Sequence, residues 1–251
     1  MEHAEIEKLV HSDIILSLDL TMFDEIDIAN IVLQRSSVLY DVPFAGRIIR
    51  SWVRKDPKPL QRVVQEKGHD IVRRALAFAY LEFEKLQPKL VEFDVRSLAD
   101  IGCGYAFIDL FLWRSFDCNL TLIDIESSET RGFGFASEGA GYSNLAKAQD
   151  FLLKNGVPEE KIVLINPKQD NLLGSPDIDV AISLLSCGFH YPLSTYGSYF
   201  SEKLKPGGGV IVDIRERDSG LQADDIAHIG AVLQKYSHME GVNRTVIKRI
   251  L

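Results

Sequence analysis

Leu98-Ala99-Asp100-Ile101-Gly102-Cys103-Gly104-Tyr105-Ala106 is the stretch on which the reading of this chain turns. An apolar strand runs into an acidic residue and two glycines, and an apolar helix follows over 105–115. Gly102 and Gly104 permit a sharp turn and a close approach of backbone to a ligand, while amides at the helix N-terminus point into the same space. Twenty residues after Gly104 a second apolar strand ends in Leu122-Ile123-Asp124. A carboxylate there can accept hydrogen bonds from the ribose hydroxyls of a nucleoside ligand. A dinucleotide site of pattern G-x-G-x-x-G would need its third glycine at Phe107, where a bulky ring obstructs close helix packing, so NAD is disfavoured.

Outward from this stretch, short apolar runs alternate with helical patterns to the end of the chain. Strands are expected at 97–101, 119–125, 161–165, 178–184 and 209–214, with helices at 145–155, 196–204 and 223–235. A final strand pair at 237–242 and 245–250 completes an α/β, doubly wound, mostly parallel seven-stranded sheet with an antiparallel C-terminal edge strand. Before residue 97 the pattern is helical throughout, an N-terminal helical extension. Helices are expected at 25–37, at 44–55, from Pro59, and from an Asp70 N-cap to Leu86, where Pro88 stops the last one. The chain thus divides into 1–96, a helical cap or oligomerisation region, and 97–251, a nucleoside-binding domain.

Composition excludes several classes. The 251 residues are 46% hydrophobic and 25% charged with a net charge of −8, an ordinary globular balance. No apolar run approaches the roughly 18 residues of a membrane span. The acidic start Met1-Glu2-His3-Ala4-Glu5 lacks the basic and apolar regions of a secretory signal, so the expected location is cytoplasmic. Cys103, Cys118 and Cys187 have neither disulfide nor metal-ligand spacing and are read as free thiols. Residues 47–74 hold nine basic side chains against three acidic ones, which reads as a solvated helix face or as an attractant for a polyanion.

The glycine stretch resembles motif I of the class I S-adenosylmethionine-dependent methyltransferases, [D/E]-x-G-x-G-x-G, with Ala106 at the third small position. Asp177-Ile178-Asp179-Val180-Ala181-Ile182-Ser183 is similar to that family's fourth strand, and Leu204-Lys205-Pro206-Gly207-Gly208-Gly209-Val210-Ile211-Val212 to its turn into the fifth. The resemblance spans 97–251 and implies S-adenosylmethionine as cofactor and S-adenosylhomocysteine as product. It implies that Asp100, Gly102, Cys103, Gly104, Asp124, Ile125 and Leu184 surround the cofactor. Asp124 would grip the ribose, and Gln169 or Asp170 would meet the adenine amino group.

Methyl transfer is an in-line displacement, and an oxygen acceptor must also lose a proton. Leu185-Ser186-Cys187-Gly188-Phe189-His190-Tyr191-Pro192 lies at the carboxyl end of the fourth strand, which makes His190 the candidate base with Tyr191 beside it. A loop with four glycines and three aromatics, 131–142, offers Phe133, Phe135 and Tyr142 as acceptor-binding rings, and Arg215 is a further candidate. Residues 97–251 carry 14 basic against 20 acidic side chains, which disfavours nucleic acid. The expected partner is a small-molecule or sugar acceptor methylated on oxygen, with no membrane association and the N-terminal helices as cap or dimer surface. The alternatives are an RNA or other polyanion docked on 47–74, and a non-catalytic cofactor-binding module.

Overall fold

The computed structural model describes residues 2–126 and 143–250. Its first five helices are α1 (Glu2–Val10), α2 (Asp13–Leu16), α3 (Glu25–Gln34), α4 (Ala45–Val53) and α5 (Lys58–Leu90). The two helices expected on either side of Gly68 are one, so Asp70 caps nothing. Gly68 serves packing instead: a Cβ there would sit 3.1 Å from Ile28 Cδ1, so its absence lets α3 and α5 come together. Pro88 does not stop α5 at Leu86 but lies in its final turn, where little helix remains to be disrupted.

The α/β half follows as β1 (Ser97–Ile101), α6 (Phe107–Phe116), β2 (Asn119–Ile123), α7 (Leu145–Lys154), β3 (Ile162–Ile165), β4 (Ile178–Ser183), α8 (Gly197–Lys203), β5 (Leu204–Arg215), α9 (Ala223–Ile229), β6 (Ala231–Met239) and β7 (Val242–Lys248). The seven strands form one sheet of order β3-β2-β1-β4-β5-β7-β6. The first five run parallel, β7 pairs antiparallel with β5, and β6 closes the edge against β7. β5 begins at Leu204 rather than 209, with a register shift against β4 that accommodates Pro206. The helix expected to 235 ends at Ile229. Gly230 lies against the Lys248 backbone too closely for any side chain, and the chain passes straight into β6.

Alternation along β1 splits the core. Leu98 faces a cluster shared with the N-terminal helices, including Ile6, Leu76 and Leu90, whereas Ala99 and Ile101 face a second cluster with Tyr199 and Phe200. The helical region therefore packs on one face of the sheet as part of a continuous core. The same alternation turns Asp100 towards the first face, under α6. Order reverses between β1 and β4, and the carboxyl ends of β1, β2 and β4 meet there, the place where open α/β sheets bind ligands. No helix among the described residues is long and apolar enough to cross a membrane.

Candidate active site

Backbone geometry explains the glycine turn. Gly102 and Gly104 have φ of 85° and 60°, which L side chains rarely adopt. A Cβ on Gly102 would overlap the Ser186 hydroxyl, and one on Gly104 would come within 3.0 Å of Gln34 Oε1. Gly102 N–H donates to the Ile123 carbonyl at 2.7 Å and Ala106 N–H to the Cys103 carbonyl at 2.9 Å. Ala106, at the third small position, itself takes a left-handed φ of 56° at the start of α6.

Asp124 is tied to the same turn. Its Oδ2 accepts the Gly104 N–H at 2.9 Å, and its Oδ1 accepts the Glu126 N–H at 2.9 Å and the Ser143 hydroxyl at 2.6 Å. Burial pushes this carboxyl above its ordinary pKa, against the pull of those three donors. Oδ2 retains one lone pair, so the carboxylate both locks the loop and can take one further hydroxyl.

A cavity of about 480 Å³ opens above these groups, within the range of small-molecule sites. Asp100, Gly102, Cys103, Gly104, Asp124, Ile125 and Leu184 all line it, as do His190 and Tyr191. The adenine candidates do not. Asp170 Oδ2 accepts the Asn166 N–H at 2.8 Å, and both Gln169 and Asp170 are exposed, because the turn after β3 uses them to close itself. Arg215 is buried behind the wall, its guanidinium 4.2 Å from the Phe189 ring centroid, and is not among the cavity residues. Phe133, Phe135 and Tyr142, with the rest of the 131–142 loop, lie outside the described residues.

At the end of β4, the Ser183 hydroxyl donates to the Ile101 carbonyl at 2.7 Å and accepts the Cys187 N–H at 2.8 Å, which fixes the start of the loop. His190 N–H donates to the Ser186 carbonyl at 2.8 Å, and the hydroxyls of Ser186 and Tyr191 share a hydrogen bond of 2.8 Å. Burial drives the Tyr191 phenol well above its ordinary pKa, so it stays protonated and acts as a neutral donor or acceptor. The Cys187 thiol is likewise held up by burial and is no nucleophile.

Asp109 was not legible as a site residue. It sits in the first turn of α6, fully buried, facing Asp100 from above. Among the described residues no donor reaches Asp100 Oδ1 or either oxygen of Asp109. Burial raises both carboxyls, Asp100 further because of the Asp109 charge and Asp109 to about 7.

The N-terminal helices also reach the site. Gln34 and Arg35, at the end of α3, line the cavity with Glu82 of α5. Asp213 of β5, His238 of β6 and Arg244 of β7 complete its far end. The basic segment 47–74 contributes nothing to the lining and is partly neutralised: Arg74 is buried against Asp41 at 2.5 Å, with Lys67 on the same carboxylate.

A seven-stranded sheet of this order with its last strand antiparallel, a glycine turn after β1 and an acid after β2 is the fold of the class I methyltransferases. No protein-family profile matches the chain, and no curated protein matches it in sequence. Among solved structures, the chain is similar to ribosomal protein L11 methylase from Lactobacillus delbrueckii subsp. bulgaricus, at 16% identity over 70% of this chain and 78% of that one, TM-score 0.48. It is also similar to magnesium protoporphyrin IX methyltransferase (ChlM) from Synechocystis PCC 6803 with bound SAM, at 13% identity over 74% and 83%, TM-score 0.47. A third is the S-adenosylmethionine-dependent methyltransferase SibL in its apo form, at 13% identity over 88% and 73%, TM-score 0.48.

Proposed function

We propose that the protein is an S-adenosylmethionine-dependent methyltransferase that methylates an oxygen of a small molecule or sugar. The carrying observation is the Gly104–Asp124 hydrogen bond of 2.9 Å in the wall of one cavity. It fixes a glycine turn, an acceptor for a ribose hydroxyl and the buried Asp100 carboxyl around one space. These residues fit a nucleoside with a cationic tail: Gly102 and Gly104 turn the chain without side chains of their own, with Ser186 and Gln34 packed against the turn, and Asp100 brings a carboxyl oxygen with no hydrogen-bond donor among the described residues.

Bound there, S-adenosylmethionine supplies a methyl group on a sulfonium, an electrophile ready for displacement. The protein then holds the acceptor oxygen in line and excludes water. Transfer of that methyl group to an acceptor hydroxyl would release the hydroxyl proton, and His190 on the cavity wall would take it. Tyr191, neutral and anchored by Ser186, orients the acceptor from the same loop. The N-terminal helices act as a cap, since Gln34 lies directly over Gly104.

Calorimetric titration with S-adenosylmethionine and S-adenosylhomocysteine, with NAD as control, tests the reading. Both ligands are expected to bind and NAD is not. Asp124→Ala should weaken binding by about 1 to 3 kcal/mol, the range for losing a hydrogen bond to a charged group. Absence of binding by the unaltered protein would remove the cofactor assignment.

A further inference from the structure

The far end of the cavity carries four polar side chains that cofactor binding does not use, Asp213 and Arg244 buried and Glu82 and His238 half-buried. Arg244, 1% exposed, forks onto Asp213, with Nε donating to Oδ1 at 2.7 Å and Nη2 to Oδ2 at 2.8 Å. The two residues are direct cross-strand partners on β7 and β5. Arg244 Nη1 donates to Glu82 Oε1, and Glu82 Oε2 faces His238 Nε2 at 3.5 Å. Burial works to raise the Glu82 carboxyl, but Arg244, by charge and hydrogen bond, leads the groups that outweigh it and lower its pKa. Burial, with Arg244, lowers His238, so the imidazole is neutral at neutral pH.

Sequence along α5 opens this end. Ala75, Ala79 and Glu82 follow at i, i+4 and i+7 and share one helix face. All three line the cavity. Their neighbours Ile71, Leu76 and Phe78 are large and buried. Two small side chains thus leave room where the rest of the helix fills it, and the third brings a carboxylate to the end of that room. Packing alone does not call for it, because desolvating Glu82 beside an already paired Arg244 is costly.

We propose that Glu82, Asp213, His238 and Arg244 form the acceptor-recognition end of the cavity, and that it takes an uncharged molecule whose hydroxyl hydrogen-bonds to Glu82 and His238. The argument for neutrality is charge balance. Two carboxylates face Arg244 and Arg35, and each nitrogen of the Arg244 guanidinium already meets a carboxylate oxygen. An anionic acceptor would be buried against Glu82 and Asp213, and a cationic one would compete with Arg244 for them. A hydroxyl needs neither exchange, since Glu82 Oε2 has lone pairs to spare and a neutral imidazole offers one nitrogen lone pair.

This inference rests on the methyltransferase reading, and the test separates the two. Protein saturated with S-adenosylhomocysteine would be titrated by ligand-observed NMR with two matched sets of probes. One set is catechol, 3,4-dihydroxybenzoate and dopamine; the other is glucose, glucose 6-phosphate and glucosamine. An uncharged probe is expected to bind at least tenfold more tightly than its charged counterparts, and Glu82→Gln should weaken it at least tenfold while homocysteine-nucleoside affinity is unchanged. Should Glu82→Gln fail to fold, Ala79→Leu, which fills the space without touching a charge, is expected to abolish probe binding alone. Preference for a charged probe, no binding by any probe in protein that binds the nucleoside, or uncharged binding indifferent to both substitutions overturns the inference. Failure to bind the nucleoside at all strikes the methyltransferase reading instead.

Discussion

The Tyr105 hydroxyl donates to Asp27 Oδ1 at 3.0 Å and receives the Asn30 amide at 3.2 Å, joining the residue after the second loop glycine to the N-terminal helix α3. Asp27 itself closes a capping box with Asp24 at the start of that helix. The cap and the glycine turn are therefore one hydrogen-bonded unit. Tyr105→Phe removes both bonds and leaves the ring packing intact. It is expected to cost about 1.5 to 3 kcal/mol in denaturant unfolding. It should also weaken S-adenosylhomocysteine binding, because the residue next to Gly104 loses its tie to α3. Unchanged affinity in a destabilised variant would show that Asp124 alone holds the turn.

Ala106 stores strain that a glycine would release. A left-handed alanine costs about 1 to 2 kcal/mol, and glycine gives back roughly half of that in chain entropy. Ala106→Gly is therefore expected to raise stability by up to about 1 kcal/mol with the fold unchanged, whereas Ala106→Val, β-branched and fully buried, should lower it. Paired thermal and denaturant melts check both signs.

The Asp100–Asp109 pair makes stability depend on pH in a direction opposite to that of a salt-bridged carboxylate. Both groups bind protons more readily in the folded chain than at the ordinary value of 3.8, Asp109 up to about 7. Their contribution is full below the ordinary value and is lost as pH rises towards 7. Asp109→Asn replaces an ionisable buried carboxyl with a permanently neutral amide beside Asp100. The variant's advantage over the unaltered protein should thus grow between pH 5 and pH 8. An advantage that stays constant across that range would mean that burial does not raise the Asp109 carboxyl.

Local physics made the glycine turn, Asp124 and the sheet legible, since each is written within a few consecutive residues. β1 is found at the expected 97–101, and β4 falls one residue short of its expected end. What the sequence hid were effects of distance. Gly68 and Pro88 read as breaks, yet α3 packs against the first and the second falls where α5 is already ending. Residues 230–235 carry a helical pattern that pairing with β7 overrides. The adenine candidates lie off the cavity, and Asp170 meets the demand of its own turn, which in sequence is indistinguishable from a ligand contact. Glu82 and Arg244 lie 162 positions apart, and only the packing of α5 on β7 brings them together.

That long-range contact supplies the last prediction. Arg244 joins Asp213 to Glu82, so Arg244→Met leaves the buried Asp213 without its bidentate partner and Glu82 without its guanidinium hydrogen bond. Breaking a buried pair from one side costs about 3 to 5 kcal/mol, whereas replacing both sides with apolar groups is often close to neutral. The double variant Arg244→Met/Asp213→Leu is accordingly expected to be more stable than Arg244→Met alone, with Glu82 the remaining cost. A denaturant double-mutant cycle measures the difference. A coupling energy near zero would mean that water reaches the cluster and screens it, in which case the far end of the cavity is wet rather than closed.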